Sequence, residues 1–428
     1  MLRKSIFWLH LSAGVIAGIV ILVMSATGVL LTYEKQMIAW ADRSDAALPP
    51  SPGAQRMSVD ALIASAGAID PSASVTSLSI SSVPGQPALA TVGTTVMTVN
   101  PYTGAVLGQS APRLRAFFRS VTAWHRYLGA DAGPLRQTLR AVTGWSNFLF
   151  FLIVLGGIYL WMPRRWTFNH VRAVALFKGG LAGKARDFNW HNVIGIWSAV
   201  PLALVVAGAM PISFQWANRG VYQLVGEQPP APQGGNAQQA AARNGRAGGA
   251  REEGPARAGR PEGERREAAG AASEAGGEQR ARRAEAAAVA IDPLWRKAEA
   301  QVEGWRTISA RVGGNGPLAF TIDRGTGGQP QARGTLTVDR VSGEVTKWEP
   351  FESQTLGRRL RTFLRFAHTG EYFGVVGQTI AGLASAGGVV LVYTGIALAF
   401  RRLAAWLVRR RYRAVVMSPT APGLVPEP

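Results

Sequence analysis

The sequence offers five histidines and no cysteine. The missing thiols exclude disulfides, thiolate metal sites, iron–sulfur clusters and covalently attached c-type haem. A haem in this chain would be held non-covalently, through histidine or methionine. Four histidines, His10, His125, His191 and His368, stand at the first turn of a long apolar run or just before it. A lone histidine at such a boundary is more often an interfacial side chain satisfied by water or lipid headgroups. Four of them, spaced by a repeat, suggest something else. If the repeat makes them equivalent in couples, a two-fold axis passes between two imidazoles, which is the geometry of a bis-histidine haem. The fifth, His170, has no counterpart and reads as a surface residue.

The elements that must position these side chains are four uncharged runs, residues 11–33, 141–162, 192–218 and 372–400. Each exceeds the roughly 20 residues a helix needs to cross a hydrocarbon layer of about 30 Å. The first is too long for the apolar segment of a signal peptide and reads as an uncleaved span. Trp40, Trp161, Trp166, Trp190 and Trp216 lie near span ends, as an interfacial aromatic belt would. Arg3 and Lys4, Arg164 and Arg165, Arg172 to Arg186, and Arg401 to Arg413 all flank one side of a four-span topology. By the positive-inside bias, the N and C termini are then cytoplasmic and the long connections 34–135 and 219–367 external. Many of the basic residues behind the net charge of +20 sit in these flanks, and others lie in a low-complexity tract. No groove-reading or aromatic-interleaved basic motif points to nucleic acid.

Two stretches of the chain echo each other. Phe7-x-x-His10-x-x-x-Gly14 parallels Phe188-x-x-His191-x-x-x-Gly195. Leu114-Arg115-x-Phe117-Phe118-Arg119, then His125, then Gln137-Thr138, parallels Leu360-Arg361-x-Phe363-Leu364-Arg365, then His368, then Gln378-Thr379. Asn100 to Val106 parallels Asp339 to Val345, both turn signals following alternating strand-like stretches, with amphipathic helices at 59–68 and 293–302 upstream. The expected pattern is span, external α+β module, span, repeated once in parallel. Gly14, Gly195 and Gly129 each follow a histidine by four positions, leaving one helical face open to a flat ligand; Tyr372 breaks the rule after His368. Arg115, Arg119, Arg361 and Arg365 outside, and Lys4 and Arg186 inside, are candidates to meet anionic groups. The tract 226–288, rich in Gly, Ala, Arg and Glu, lacks the apolar residues for a core and is expected to be disordered.

The divisions expected are 6–33, first membrane helix; 34–120, first module; 121–162, a helix and the second membrane helix; 163–190, cytoplasmic loop; 191–217, third; 218–365, second module with the insert 226–288; 366–400, fourth; and 401–428, cytoplasmic tail. No P-loop, G-x-S-x-G, H-E-x-x-H or dinucleotide fingerprint occurs. No acidic pair lies inside a span, which argues against a proton-coupled transporter.

Assembled, these residues resemble the PepSY-associated transmembrane family of bacterial inner-membrane proteins. The likeness rests on Trp8-Leu9-His10 with Gly14, Thr27-Gly28-Val29-Leu30, Trp124-His125-Arg126-Tyr127-Leu128-Gly129, Tyr159 to Arg165, Trp190-His191 with Gly195-Ile196-Trp197, and His368-Thr369-Gly370-Glu371. It covers nearly all of the chain outside 226–288. Some members are ferric-siderophore reductases with two b-type haems. The resemblance implies a four-helix membrane protein with two periplasmic PepSY-like α+β modules. It also implies haem iron ligated by His10, His191, His125 and His368, and release of iron from a ferric siderophore by reduction. The electron donor, cytoplasmic or quinol, is not named by the sequence, and no side chain is required as acid or base. The competing expectations are a non-enzymatic PepSY membrane protein that binds a periplasmic partner, and an iron-chelate permease.

Overall fold

The structure is a computed structural model, describing residues 1–162, 167–230, 290–314, 316–326 and 328–416. Residues 231–288 of the insert expected to be disordered, residues 417–428 of the C-terminal tail, and Arg164, Arg165 and Trp166 lie outside the described residues. Four helices carry the long apolar runs: α1 (Leu2–Leu31), α5 (Gly133–Trp161), α7 (Gly183–Ser213) and α11 (Gly374–Val416). All four are long and apolar enough to cross a membrane. They pack as one bundle, with α1 and α7 each against both α5 and α11. Apolar side chains such as Ile16, Ile19, Leu155, Val200 and Leu383 point outward. In water that would be costly, but lipid is as apolar as these side chains, so interior positions are left to small and polar residues. Ser25, Thr143, Ser146, Asn147, Ser198 and Thr394 are accordingly buried.

Helices α1, α5 and α7 begin earlier in sequence than their apolar runs, because charged residues extend the first turns beyond the hydrocarbon, whereas α11 begins two residues inside its run. His10 and His191 therefore sit two turns inside α1 and α7 rather than at their first turn. His125 and His368 are not on spans at all. They end two separate amphipathic helices, α4 (Pro112–Tyr127) and α10 (Leu356–His368), which lie against α1 and α7 respectively.

The remaining helices are α2 (Glu34–Ala41), α3 (Val59–Gly67), α6 (Phe168–Ala175), α8 (Gln215–Gln223) and α9 (Asp292–Gln301). The strands are β1 (Val75–Ser81), β2 (Ala88–Val92), β3 (Thr95–Val99), β4 (Val106–Gln109), β5 (Thr307–Ala310), β6 (Leu318–Asp323), β7 (Arg333–Val338) and β8 (Val345–Pro350). Expected as two separate modules, they form one antiparallel sheet in the order β4-β3-β2-β1-β5-β6-β7-β8. The two sets of four meet at β1 and β5, with Leu78 opposite Ala310 and Ile80 opposite Ile308. One core fills one face of the whole sheet, from Leu62, Leu78 and Val99 to Trp295, Phe320 and Leu336. A four-stranded sheet with one short helix buries little; joining two removes a pair of open edges and doubles the core. Because a single sheet holds both long connections, they lie on one side of the bundle, and the start of α1 and the end of α11 lie on the other.

Local signals in the sequence act as expected. Asn100 Oδ1 accepts from the N–H of Tyr102 and Thr103 at 2.7 and 3.1 Å. Asp339 Oδ1 accepts from Val341 and Ser342 at 3.0 and 2.8 Å. Gly104 and Gly343 then take φ of +73° and +68°, a region open to glycine at no steric cost. Bulges flank the turns at matching places, Thr98/Val99 just before Asn100 and Thr337/Val338 just before Asp339.

Helices α3 and α9 cap each other across the joint. Asp60 accepts from the N–H of Ile291 and Asp292 at 2.8 and 2.9 Å, and Asp292 accepts from Val59 N–H at 2.8 Å. Carboxylates at helix N-termini satisfy donors that the helix itself leaves unpaired. Asp60→Ala is expected to destabilise the external domain by about 1–2 kcal/mol. Equilibrium denaturation followed by tryptophan fluorescence, with Trp295 buried beside the joint, measures it; Asp60→Asn, which keeps one acceptor oxygen, is expected to lose less.

Candidate functional site

The four histidines meet in two couples. The ring centres of His10 and His191 are 6.3 Å apart with planes at 83°. Those of His125 and His368 are 6.1 Å apart at 47°. The first couple lies at the bundle end away from the sheet, the second at the end beneath it. From His10 to Thr27, which touches His125, α1 runs about 25 Å at about 1.5 Å per residue. The couples thus stand at opposite ends of the bundle.

Every Nδ1 has a partner on a neighbouring helix. His10 Nδ1 lies 3.0 Å from Ile153 O in α5. His368 Nδ1 lies 2.8 Å from Val205 O in α7. His125 Nδ1 lies 3.0 Å from Thr27 Oγ1, and His191 Nδ1 2.9 Å from Thr394 Oγ1. A carbonyl only accepts, so His10 and His368 carry a proton on Nδ1. Each threonine has one hydroxyl proton, already donated along its own helix, at 2.6 Å from Thr27 to Val23 O and 2.7 Å from Thr394 to Val390 O. The threonines therefore accept as well. All four imidazoles are placed as the Nδ1–H tautomer, with the Nε2 lone pair left for a metal.

Burial also biases the couple beneath the sheet toward the neutral form. Burial drives the His125 imidazole down to about 4, with a smaller push from His368, and burial lowers His368 too. Neutral imidazole is the ligating form.

Glycines let the helices approach these rings. A Cβ on Gly157 would lie 3.4 Å from His10 Cε1, one on Gly395 3.4 Å from His191 Cε1, and one on Gly28 3.7 Å from His125 Cε1. At Gly208 a Cβ would collide with Leu364 O and stand 3.1 Å from His368 Cβ. These are not the glycines expected from the i, i+4 spacing. Gly14 has nothing near its would-be Cβ, and Gly195 meets only Leu391. Gly129 is no helical residue: it takes φ +86° just past α4 and its N–H closes on Ala123 O, a helix-ending role. Thr27, Thr394, Gly157, Gly395 and Gly208 went unrecognised because their relevance depends on which helices adjoin. Thr27 and Gly28, in the Thr-Gly pair ending the first apolar run, carried the only visible hint.

Several basic residues expected to meet anions are already engaged. Arg115 binds Ser110 Oγ at 2.8 Å and Asp42 at 3.5 Å. Arg361 donates to Asn218 at 2.6 Å. Arg186 pairs with Asp187 at 2.9 Å, and Arg401 of α11 reaches the same carboxylate at 2.6 Å. Lys4 and Arg119 are exposed. Arg365 is different: its guanidinium lies 5.6 Å from the Phe366 ring centre, with Lys35 at 5.9 Å and Arg333 at 5.8 Å. Lys35 is balanced by Glu371 and Arg333 by Asp323, while no carboxylate pairs with Arg365 among the described residues. His170 lies in α6, and its side chain is not among those described.

No group of three or more His, Asp or Glu able to hold a metal ion occurs among the described residues. Two opposed imidazoles instead suit a metal that brings its own equatorial donors. Metal–nitrogen bonds of about 2.0 Å on each side would set ring centres about 6 Å apart, close to both observed separations. The donor set and spacing fit a haem.

Fold and site together define a multi-pass membrane protein of four spans, with an α+β sheet region on one side and paired imidazoles between its helices. The chain belongs to the family described as the PepSY-associated TM region, which it matches over residues 7–402. In the comparison with curated proteins, no sequence matches it.

Asp187 is fully buried and joins α7 to α11 four residues before His191. Asp187→Ala would leave two guanidinium groups without that partner, a loss on the order of 2 kcal/mol for hydrogen bonds to a charged group. A fall in the thermal unfolding midpoint in detergent is the expected result, larger than for Asp187→Asn.

Proposed function

We propose that this chain is a di-haem b electron-transfer protein of the bacterial inner membrane that reduces ferric siderophore on the periplasmic side. The observation that carries the reading is the pair of imidazole couples, 6.3 and 6.1 Å between ring centres, with every Nδ1 engaged by a neighbouring helix, which leaves Nε2 as the nitrogen that would ligate. His10 and His191 would hold one haem near the cytoplasmic face, and His125 and His368 the other near the periplasmic face. The haems, when bound, supply one-electron redox chemistry. The chain's own residues supply ligand, orientation and burial.

The two element sets, with their equivalent histidines, turns and bulges, support descent from a parallel duplication. With the basic flanks of the spans inside, the N and C termini are cytoplasmic and the sheet periplasmic. The electron donor is then a cytoplasmic or quinol reductant. The external mouth favours an anionic acceptor: Arg126 and Arg365 are the cations that act on His368, and Lys35, Arg333 and Arg365 surround Phe366. Ferric chelates with hard oxygen donors are commonly anionic, and reduction weakens their hold on the iron. The membrane middle speaks against a permease. Val154, Leu202 and Ala384 pack there with Phe150 and leave their side chains buried.

Haem content of the purified chain is the test. The expected result is two haems per chain by pyridine haemochrome, and a Soret band that shifts on dithionite and reverts on adding a ferric siderophore. A colourless protein would overturn the reading in favour of a partner-binding protein. His10→Ala or His191→Ala is expected to remove one haem equivalent and leave the periplasmic one spectroscopically intact. Loss of both haems from a folded variant would contradict the two-site assignment.

A further inference from the structure

All four imidazoles are oriented through a neighbouring helix, and two of them meet a threonine hydroxyl there. His10 and His368 donate to backbone carbonyls, Ile153 O at 3.0 Å and Val205 O at 2.8 Å. His125 and His191 reach the equivalent backbone at Met24 and Leu391 and also lie against hydroxyls, Thr27 at 3.0 Å and Thr394 at 2.9 Å. Each couple has one ring with a threonine and one without.

The difference traces to single positions. Aligning α1 on α7 through His10 and His191 puts Thr27 over Gly208. Aligning α5 on α11 through Gly157 and Gly395, which meet their histidines at the same 3.4 and 3.9 Å, puts Thr394 over Gly156. Where glycine stands, the neighbouring ring reaches the carbonyl four or three residues earlier in that helix. A Cβ on Gly156 would already lie 3.7 Å from His10 Nδ1, and one on Gly208 would press on α10 at Leu364 and His368. Where threonine stands, the hydroxyl adds a second partner beside the backbone of Met24 or Leu391. It is fixed by its own donation to Val23 O or Val390 O, so it presents a lone pair in one direction.

We propose that Thr27 and Thr394 are positioning residues, one at each membrane face. Each sets the orientation and basicity of one haem-ligating histidine through its hydroxyl, making the two axial ligands of each haem unequal. This deepens, and rests on, the bis-histidine reading given above. A hydrogen bond from the outer ring nitrogen fixes the tautomer and makes the ligating nitrogen more basic, which favours ferric over ferrous iron. The histidine beside a threonine is the one of each couple whose outer-nitrogen partner a side-chain substitution can alter.

The test uses the full-length protein in detergent with Thr27→Val, Thr27→Ser, Thr394→Val and Thr394→Ser. His10→Ala and His125→Ala serve to assign which spectral component belongs to which face. Haem retention in competition with apomyoglobin, and the midpoint potential of each haem by spectroelectrochemistry, are the readouts. Thr394→Val is expected to weaken retention of the cytoplasmic haem by about 10–100-fold and raise its midpoint, with the periplasmic haem unchanged. Thr27→Val is expected to do the same to the periplasmic haem alone. Both serine variants are expected to match wild type. The unaffected haem shows that each variant is folded, and Thr→Ala at either position is the second variant if valine does not fit. Wild type without haem would overturn the reading of the site and this proposal with it. A wild type with two haems, but valine variants unchanged in retention and midpoint, would overturn the threonine assignment alone. So would serine variants that behave like valine, because the methyl packing and not the hydroxyl would then be responsible.

Discussion

An imidazole buried among membrane helices must find a partner for the N–H that its neutral form always carries. In water that proton is satisfied anywhere; inside a bundle facing lipid it is not. Here all four rings solve the problem in the same way, by turning Nδ1 onto an adjacent helix of the bundle. Once that is fixed, Nε2 is the nitrogen left over, and each ring has a second imidazole across the bundle at 6.3 or 6.1 Å between centres. The couples, their spacing and their suitability for a shared metal all descend from this constraint. The glycines beside the rings follow too, because a ring reaches a carbonyl or hydroxyl on a helix only where no side chain stands between.

The external sheet does for the two element sets what the hydrogen bonds do for the rings. It is continuous from β4 to β8, and its two parts are tied at β1–β5 and by the reciprocal caps of α3 and α9. The chain then leaves β4 and β8 into α4 and α10, which carry His125 and His368 down onto α1 and α7. A histidine on such a helix is positioned by two bodies at once, the sheet above and the span beside it. His10 and His191 depend on the bundle alone, and at their end the buried Asp187 bridges α7 to α11 through Arg401. The two faces of the protein are thus built by different means although their imidazole couples are alike.

Charge follows the same division. At the end bearing the termini, arginines sit on aromatic rings and on Asp187, as Arg402 does on Phe7 and Trp8 at 4.9 Å from each ring centre. Such stacking lets a guanidinium stay at the interface without burying an unpaired charge. At the sheet end, Lys35 and Arg333 are each matched by a carboxylate, and Arg365 stands beside them without one among the described residues. Excess positive charge above the His125 and His368 couple is where an anionic electron acceptor would gain most from it.

The sequence by itself determined the four spans, because uncharged runs of that length have no soluble solution. It determined the couples, because His10 and His191, and His125 and His368, occupy matching places in matching segments. It also determined the turns at Asn100–Gly104 and Asp339–Gly343, where the side chain and the glycine act within a few residues. Only the tertiary structure decided that the two modules share one sheet, since an edge pairing such as Leu78 with Ala310 joins residues with no local signal for each other. It alone singled out Thr27, Thr394, Gly157 and Gly208, and it set aside Gly14 and Gly129. Periodicity says which face of a helix a residue lies on. Which neighbour that face meets, and whether a ring, a carbonyl or lipid is waiting there, is fixed by how the helices pack.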